Sequence, residues 1–142
     1  MKYLLPGLLV ILVFICSCSK KENIKLEASV TTIYAFYLDS AWEVNLSTKV
    51  TGFKQEASND KFKSSISYTI DIIKPGGVTV KGLVSKTEDK IDKEKLPDII
   101  LDSQFDLDAS YKPGKYAIVI NLKDMVTGQT TTATKELDLS AE

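Results

Sequence analysis

The chain has 142 residues and a formal net charge of −1, with 18 basic residues, every one a lysine, and no histidine. The missing imidazole excludes Ser-His-Asp and Cys-His catalysis and histidine-ligated zinc or copper centres. With no arginine and no excess of positive charge, the chain has neither a bidentate grip on phosphate or guanine nor an electrostatic basis for binding nucleic acid.

The N-terminus carries the two cysteines. Lys2 precedes an apolar stretch from Leu4 to Cys16, unbroken from Leu8 to Ile15. A spanning helix needs about 20 apolar residues; this shorter run matches the hydrophobic region of a secretory signal. Its end, Ile15-Cys16-Ser17-Cys18, resembles the lipobox of bacterial lipoproteins, with an aliphatic residue three before the modified cysteine and a small one immediately before it. A frame ending on Cys16 would put bulky Ile15 at the small position. The resemblance implies a signal peptide over residues 1–17, cleavage before Cys18, and acyl chains on that residue that anchor the protein to a membrane of the bacterial cell envelope. Ser19 in place of aspartate implies an outer-membrane address. Two or three chains hold far more firmly than one, because each buried methylene contributes roughly 0.8 kcal/mol.

Residues 18–23 then read as a polar, lipidated tether, and residues 24–142 as one domain. With Cys18 acylated the mature chain has neither a disulfide nor a free thiol. It must fold on its hydrophobic core alone, and a chain of this size can do so.

From residue 24 the pattern is period two, as expected of strands with one face on a core and one in water. Ile24, Leu26, Ala28 and Val30 alternate with polar residues, as do Trp42, Val44, Leu46, Thr48 and Val50, and then Ile66, Tyr68, Ile70 and Ile72. The aromatic stretch between the first two, with Tyr34, Phe36 and Tyr37, admits two readings. Tyr34 and Phe36 continue the first strand inward with Tyr37 at a sheet end, or the three form an exposed patch for a protein or glycan partner. The inward continuation is the simpler expectation.

Lys74-Pro75-Gly76-Gly77 is a turn signal, and residues 78–84 return as a hairpin partner. In residues 85–97, eight of the thirteen are charged with both signs mixed, which predicts a solvated loop with at most one helical turn. Strand character resumes over residues 99–107. Residues 116–122 are apolar on both faces, as suits a central strand, and the threonine-rich residues 130–139 suit a sheet edge. No 3.6-residue apolar period of helix length occurs after the signal.

The stretch Leu107-Asp108-Ala109-Ser110-Tyr111-Lys112-Pro113-Gly114-Lys115-Tyr116-Ala117-Ile118, followed by Lys123-Asp124-Met125-Val126-Thr127-Gly128, resembles the last hairpin of bacterial immunoglobulin-like and fibronectin-like domains. Those domains carry a PG-x-Y lead-in to the penultimate strand and a D-x-x-TG turn before the last. With about seven strands, the expected fold is all-β: a single antiparallel two-sheet sandwich, immunoglobulin-like, with Trp42 as a core tryptophan of an early strand.

Acidic residues gather at Asp98, Asp102, Asp106 and Asp108, downstream of Asp92 and Glu94. Calcium favours clustered oxygen ligands, but Asp102 and Asp106 fall on one face of a strand instead of converging in a loop, so a solvated surface is expected and no metal or other cofactor. The functional expectation is a non-enzymatic, lipid-anchored binding or assembly module that engages an envelope protein or glycan. The alternatives are a small envelope enzyme using paired carboxylates and a carrier for a hydrophobic ligand.

Overall fold

The computed structural model describes residues 24–140; Cys18, the tether and the signal segment lie outside them. The described residues contain eight strands and no helix: β1 (Glu27–Leu38), β2 (Ala41–Thr51), β3 (Glu56–Ser58), β4 (Lys61–Ile73), β5 (Thr79–Asp92), β6 (Ile99–Leu107), β7 (Gly114–Asp124) and β8 (Thr130–Leu139). One sheet runs β1-β2-β6. The other runs β8-β7-β4-β5, with the short β3 also paired to β4. All pairings are antiparallel. The two sheets form a β-sandwich.

The seven strands expected from the alternation are present, and β3 is added to them. It pairs with the start of β4 through a two-residue turn at Asn59 and Asp60, both with positive φ (50° and 58°). Asp39 and Ser40 (φ 47° and 82°) make the same kind of turn between β1 and β2. Positive φ at both central residues matches the right-handed twist of a hairpin.

The charged stretch 85–97 is where the loop expectation fails. Residues 85–92 are the second half of β5, paired residue for residue with Phe62–Thr69 of β4. Without them the outer edge of β4 would leave its backbone donors and acceptors unpaired. The charges conceal the strand because its core-side positions are not covered. Lys86, Glu88, Lys90 and Asp92 stand opposite Tyr68, Ile66, Ser64 and Phe62, on the core-side face, yet three of the four are exposed. The three-stranded sheet covers the first half of β5, where Val80 and Val84 pack against the core, but not this second half. Inward-pointing charges on an overhanging edge also keep another strand from adding there.

The core is the paired inner faces. Trp42, Val44, Leu46 and Val50 of β2 and Ile99, Leu101 and Leu107 of β6 meet Ile66, Tyr68, Ile70 and Ile72 of β4 and Tyr116, Ile118, Ile120 and Leu122 of β7. As expected, β7 is internal to its sheet and β8 is an edge. Two polar groups in this interior are paired with each other: the Tyr68 hydroxyl and Ser103 Oγ lie 3.0 Å apart across the sheets.

Both ends are closed by specific bonds. At one end the Trp42 indole donates to the Tyr111 carbonyl (2.9 Å), and the Tyr116 hydroxyl donates back to the Lys112 carbonyl (2.8 Å). The second bond is the tyrosine corner of immunoglobulin-like sandwiches, and it gives a physical reason for the PG-x-Y pattern. At the other end Asp124 is 1% exposed. Its carboxylate accepts from the amides of Lys54 (2.7 Å), Val126 (2.9 Å) and Thr127 (3.4 Å), tying the β7–β8 hairpin to the segment after β2. Beside it, Gln129 clamps the chain ahead of β1, accepting from the Leu26 amide (3.0 Å) and donating to the Ile24 carbonyl (3.2 Å). Gly52 (φ 70°) completes that clamp, since a Cβ there would collide with the Lys25 carbonyl.

Removing the Asp124 carboxylate strands three amides, so Asp124→Ala should lower stability by about 3 kcal/mol. Asp138→Ala, on the exposed side of β8, should stay within about 0.5 kcal/mol of the parent. Urea unfolding followed by far-ultraviolet dichroism measures both; equal stability of the two variants would refute the anchoring role.

Candidate functional site

One residue decides where the aromatic side chains go. In β1 the register against β2 shifts between Val30 and Thr32: Val30 faces Thr48, but Thr32 already faces Ser47. Thr31 is the extra residue of a β-bulge. Because strand side chains alternate with a period of two, a slip of one inverts the faces. Ala28 and Val30 pack on the core before the bulge, and Ile33 and Ala35 do so after it. Tyr34 and Phe36 therefore point outward, 46% and 54% exposed. The inward placement expected for them is corrected by that single inserted residue. Tyr37 falls on the core side at the strand end. Its ring meets that of Trp42 edge-on at 4.9 Å, while half its surface stays exposed.

The outward face of the β1-β2-β6 sheet is laid out in ranks by the register. Tyr34, Asn45 and Gln104 stand side by side; Phe36, Glu43 and Asp106 form the next rank, and Thr32, Ser47 and Asp102 the one before. Tyr34 and Phe36 sit edge to face, ring centroids 5.3 Å apart. Asn45 Nδ2 donates to Glu43 Oε1 (3.1 Å), and Ser47 Oγ donates to Asp102 Oδ1 (2.5 Å). An open trough of about 450 Å³ runs over this face, bordered by Tyr34, Asn45, Ser47, Asp102 and Gln104, with Lys86 of β5 at its rim.

The remaining acidic residues disperse. Asp98 forms an ion pair with Lys49 (3.1 Å), while Asp92 and Glu94 lie at the end of β5 and in the loop beyond it. Asp102 and Asp106 share the outward face of β6, as the alternation implies. Among the described residues no three carboxylates come together as ligands for one ion. Asp108 Oδ1 accepts from the Ser110 amide (2.8 Å). Hydrogen bonds from the Ser110 side chain and backbone, with help from Lys74, hold its carboxyl below the usual aspartate range. Lys74 also lies over the Tyr111 ring, 4.5 Å from its centroid. Burial, then the negative charge of Asp108 and the neighbouring Tyr116, push the Tyr111 phenol up.

No family model and no curated protein matches this chain. Among solved structures it is similar to a β-glucuronidase from Bacteroides uniformis, with a TM-score of 0.43 and 11% identity; the likeness covers 79% of this chain but only 12% of that one. It is also similar to the N-terminal domain of PorA, with a TM-score of 0.39 and 11% identity over 78% of this chain and 84% of that one.

The raised Tyr111 phenol has a pH consequence. The folded state holds this proton more tightly than the unfolded chain. Its contribution is thus complete below the ordinary tyrosine pKa of about 10 and is lost as pH rises through the folded value. Urea midpoints should fall on the alkaline side of about pH 10, and Tyr111→Phe should fall less steeply there. Parallel alkaline profiles for the two proteins would contradict this assignment.

Proposed function

We propose that this protein is a lipid-anchored, non-enzymatic binding module of a bacterial cell envelope, held to the outer membrane by acyl chains on Cys18. The observation that carries the binding role is the exposed aromatic face. Tyr34 and Phe36 occupy the outward side of an edge strand, next to ranks of half-buried and exposed amides and carboxylates. Leaving such rings in water forgoes the burial energy they could gain in the core, and a bulge places them there.

The orientation supports the same reading. Gln129 and Gly52 pin residues 24–26 at one end of the sandwich. Tyr34 lies roughly 25 Å further along β1. A tether over residues 18–23 spans at most about 20 Å. A membrane anchor at Cys18 would thus hold the clamped end near the bilayer and present the aromatic face away from it.

Replacing Cys18 by serine should move the protein from the membrane fraction to the soluble one, or leave it unprocessed, whereas Cys16→Ser should leave it membrane-bound. Intact mass of the mature protein reads the modification directly, and an unacylated chain would remove the anchor from this reading. The double substitution Tyr34→Ala with Phe36→Ala should change stability by no more than about 1 kcal/mol, as expected for exposed side chains. It should also abolish retention of the partner in cross-linked envelopes. Retention at the parental level would move the binding surface elsewhere.

A further inference from the structure

We propose that the outward face of the β1-β2-β6 sheet binds a neutral glycan, with the sugar chain running across the strands from the Tyr34–Phe36 pair toward Gln104. The inference rests on the binding-module reading above and names the ligand class of its surface.

The ranks of side chains supply what a sugar ring needs. A pyranose has an apolar C–H face and a girdle of hydroxyls, each both donor and acceptor. Tyr34 and Phe36 offer half-exposed aromatic surface at one edge of the sheet, and they restrict each other through their edge-to-face contact. Across the same ranks stand planar polar groups: Asn45 and Gln104 beside Tyr34, Glu43 and Asp106 beside Phe36. Side-chain amides give donors and acceptors together, and carboxylates accept pairs of hydroxyls. Adjacent strands are roughly 4.8 Å apart, about the length of one sugar ring, so successive residues of a linear chain would meet successive strands.

These groups are also held in place. Asn45 is oriented by its bond to Glu43 and Asp102 by its bond to Ser47. Each keeps unused capacity among the described residues: Asn45 its carbonyl oxygen and second N–H, Asp102 its second oxygen. The Gln104 amide makes no side-chain hydrogen bond among the described residues.

Charge selects among ligands. Glu43, Asp102 and Asp106 outnumber Lys49 and the rim residue Lys86 on this face, and the chain has no arginine. An anionic polymer would meet like charge without the bidentate partner that recognises it. An apolar protein surface would have to strip water from three carboxylates and two amides without replacing it. Hydroxyl groups replace that water directly.

The test uses the full lipidated protein in a detergent that contains no sugar, titrated calorimetrically with cellohexaose, maltohexaose, xylohexaose and chitohexaose. At least one should bind saturably. Tyr34→Ala and Gln104→Ala should each weaken that binding about tenfold, with Thr132→Ala on the opposite sheet as the unchanged control. Folding of each variant is checked by its thermal melt, and Gln104→Ala, at an exposed position, serves if Tyr34→Ala fails to fold. Absence of binding to all four sugars, or binding that neither substitution alters, overturns the glycan assignment. A photo-cross-linker at Gln104 that captures a protein in intact envelopes overturns it too, while leaving the binding-module reading in force.

Discussion

Everything in this molecule depends on burying one face of each sheet against the other. That burial sets the parity of every strand, because a residue shifted by one position exchanges core for water. In β2, β4, β6 and β7 the parity holds from end to end, and their inner residues make up most of the buried apolar core. Trp42 and the Tyr116 corner close one end, and the Asp124 carboxylate closes the other. In each closure a buried polar group meets a backbone partner, so neither leaves an unsatisfied atom in the interior.

Two strands depart from regular pairing, with opposite consequences. The register of β5 against β4 shifts by two, with Val84 facing Ile70 and Val80 facing Ile72. An even shift preserves parity, so Val80 and Val84 both still pack against the core. Gly82 (φ 68°) takes up the excess chain there, its amide bonded to Asp71 (2.8 Å). The shift in β1 is by one, and it inverts the faces. The first irregularity serves the fold. The second turns an aromatic pair outward at the cost of its burial.

The unequal width of the sheets shapes the surface as well. Three strands stand against four long ones, so the second half of β5 overhangs, and its core-side residues there can be charged without penalty. Lys135 of β8 is another charge at a core-side position, facing Ile118 across the pair and exposed. Both edges of the larger sheet thus carry inward-pointing charge, a known guard against association. On the smaller sheet, β6 has only uncharged residues at its inward positions. The outward face of that sheet combines exposed rings with half-buried and exposed planar polar groups, and this contrast draws the binding role there.

Residues 24–140 show how much of this was legible beforehand. Strict alternation in residues 42–50, 66–72 and 116–122, bounded by Pro-Gly and Thr-Gly turns, specified an all-β sandwich because period two is a local property of the chain. The tyrosine corner and the Asp124 turn were visible as patterns, but their bonds to Lys112 and Lys54 were not. The length of β5 was hidden because charge predicts solvent exposure, and exposure there follows from the width of the opposite sheet. The choice between the inward and outward readings of Tyr34 and Phe36 could not be made for a deeper reason: a bulge is a relation between two strands, and nothing local in Val30-Thr31-Thr32 announces it. Sequence alone determined the alternation and the turns. Only the pairing of β1 with β2 decided which side of the sheet its aromatic residues occupy.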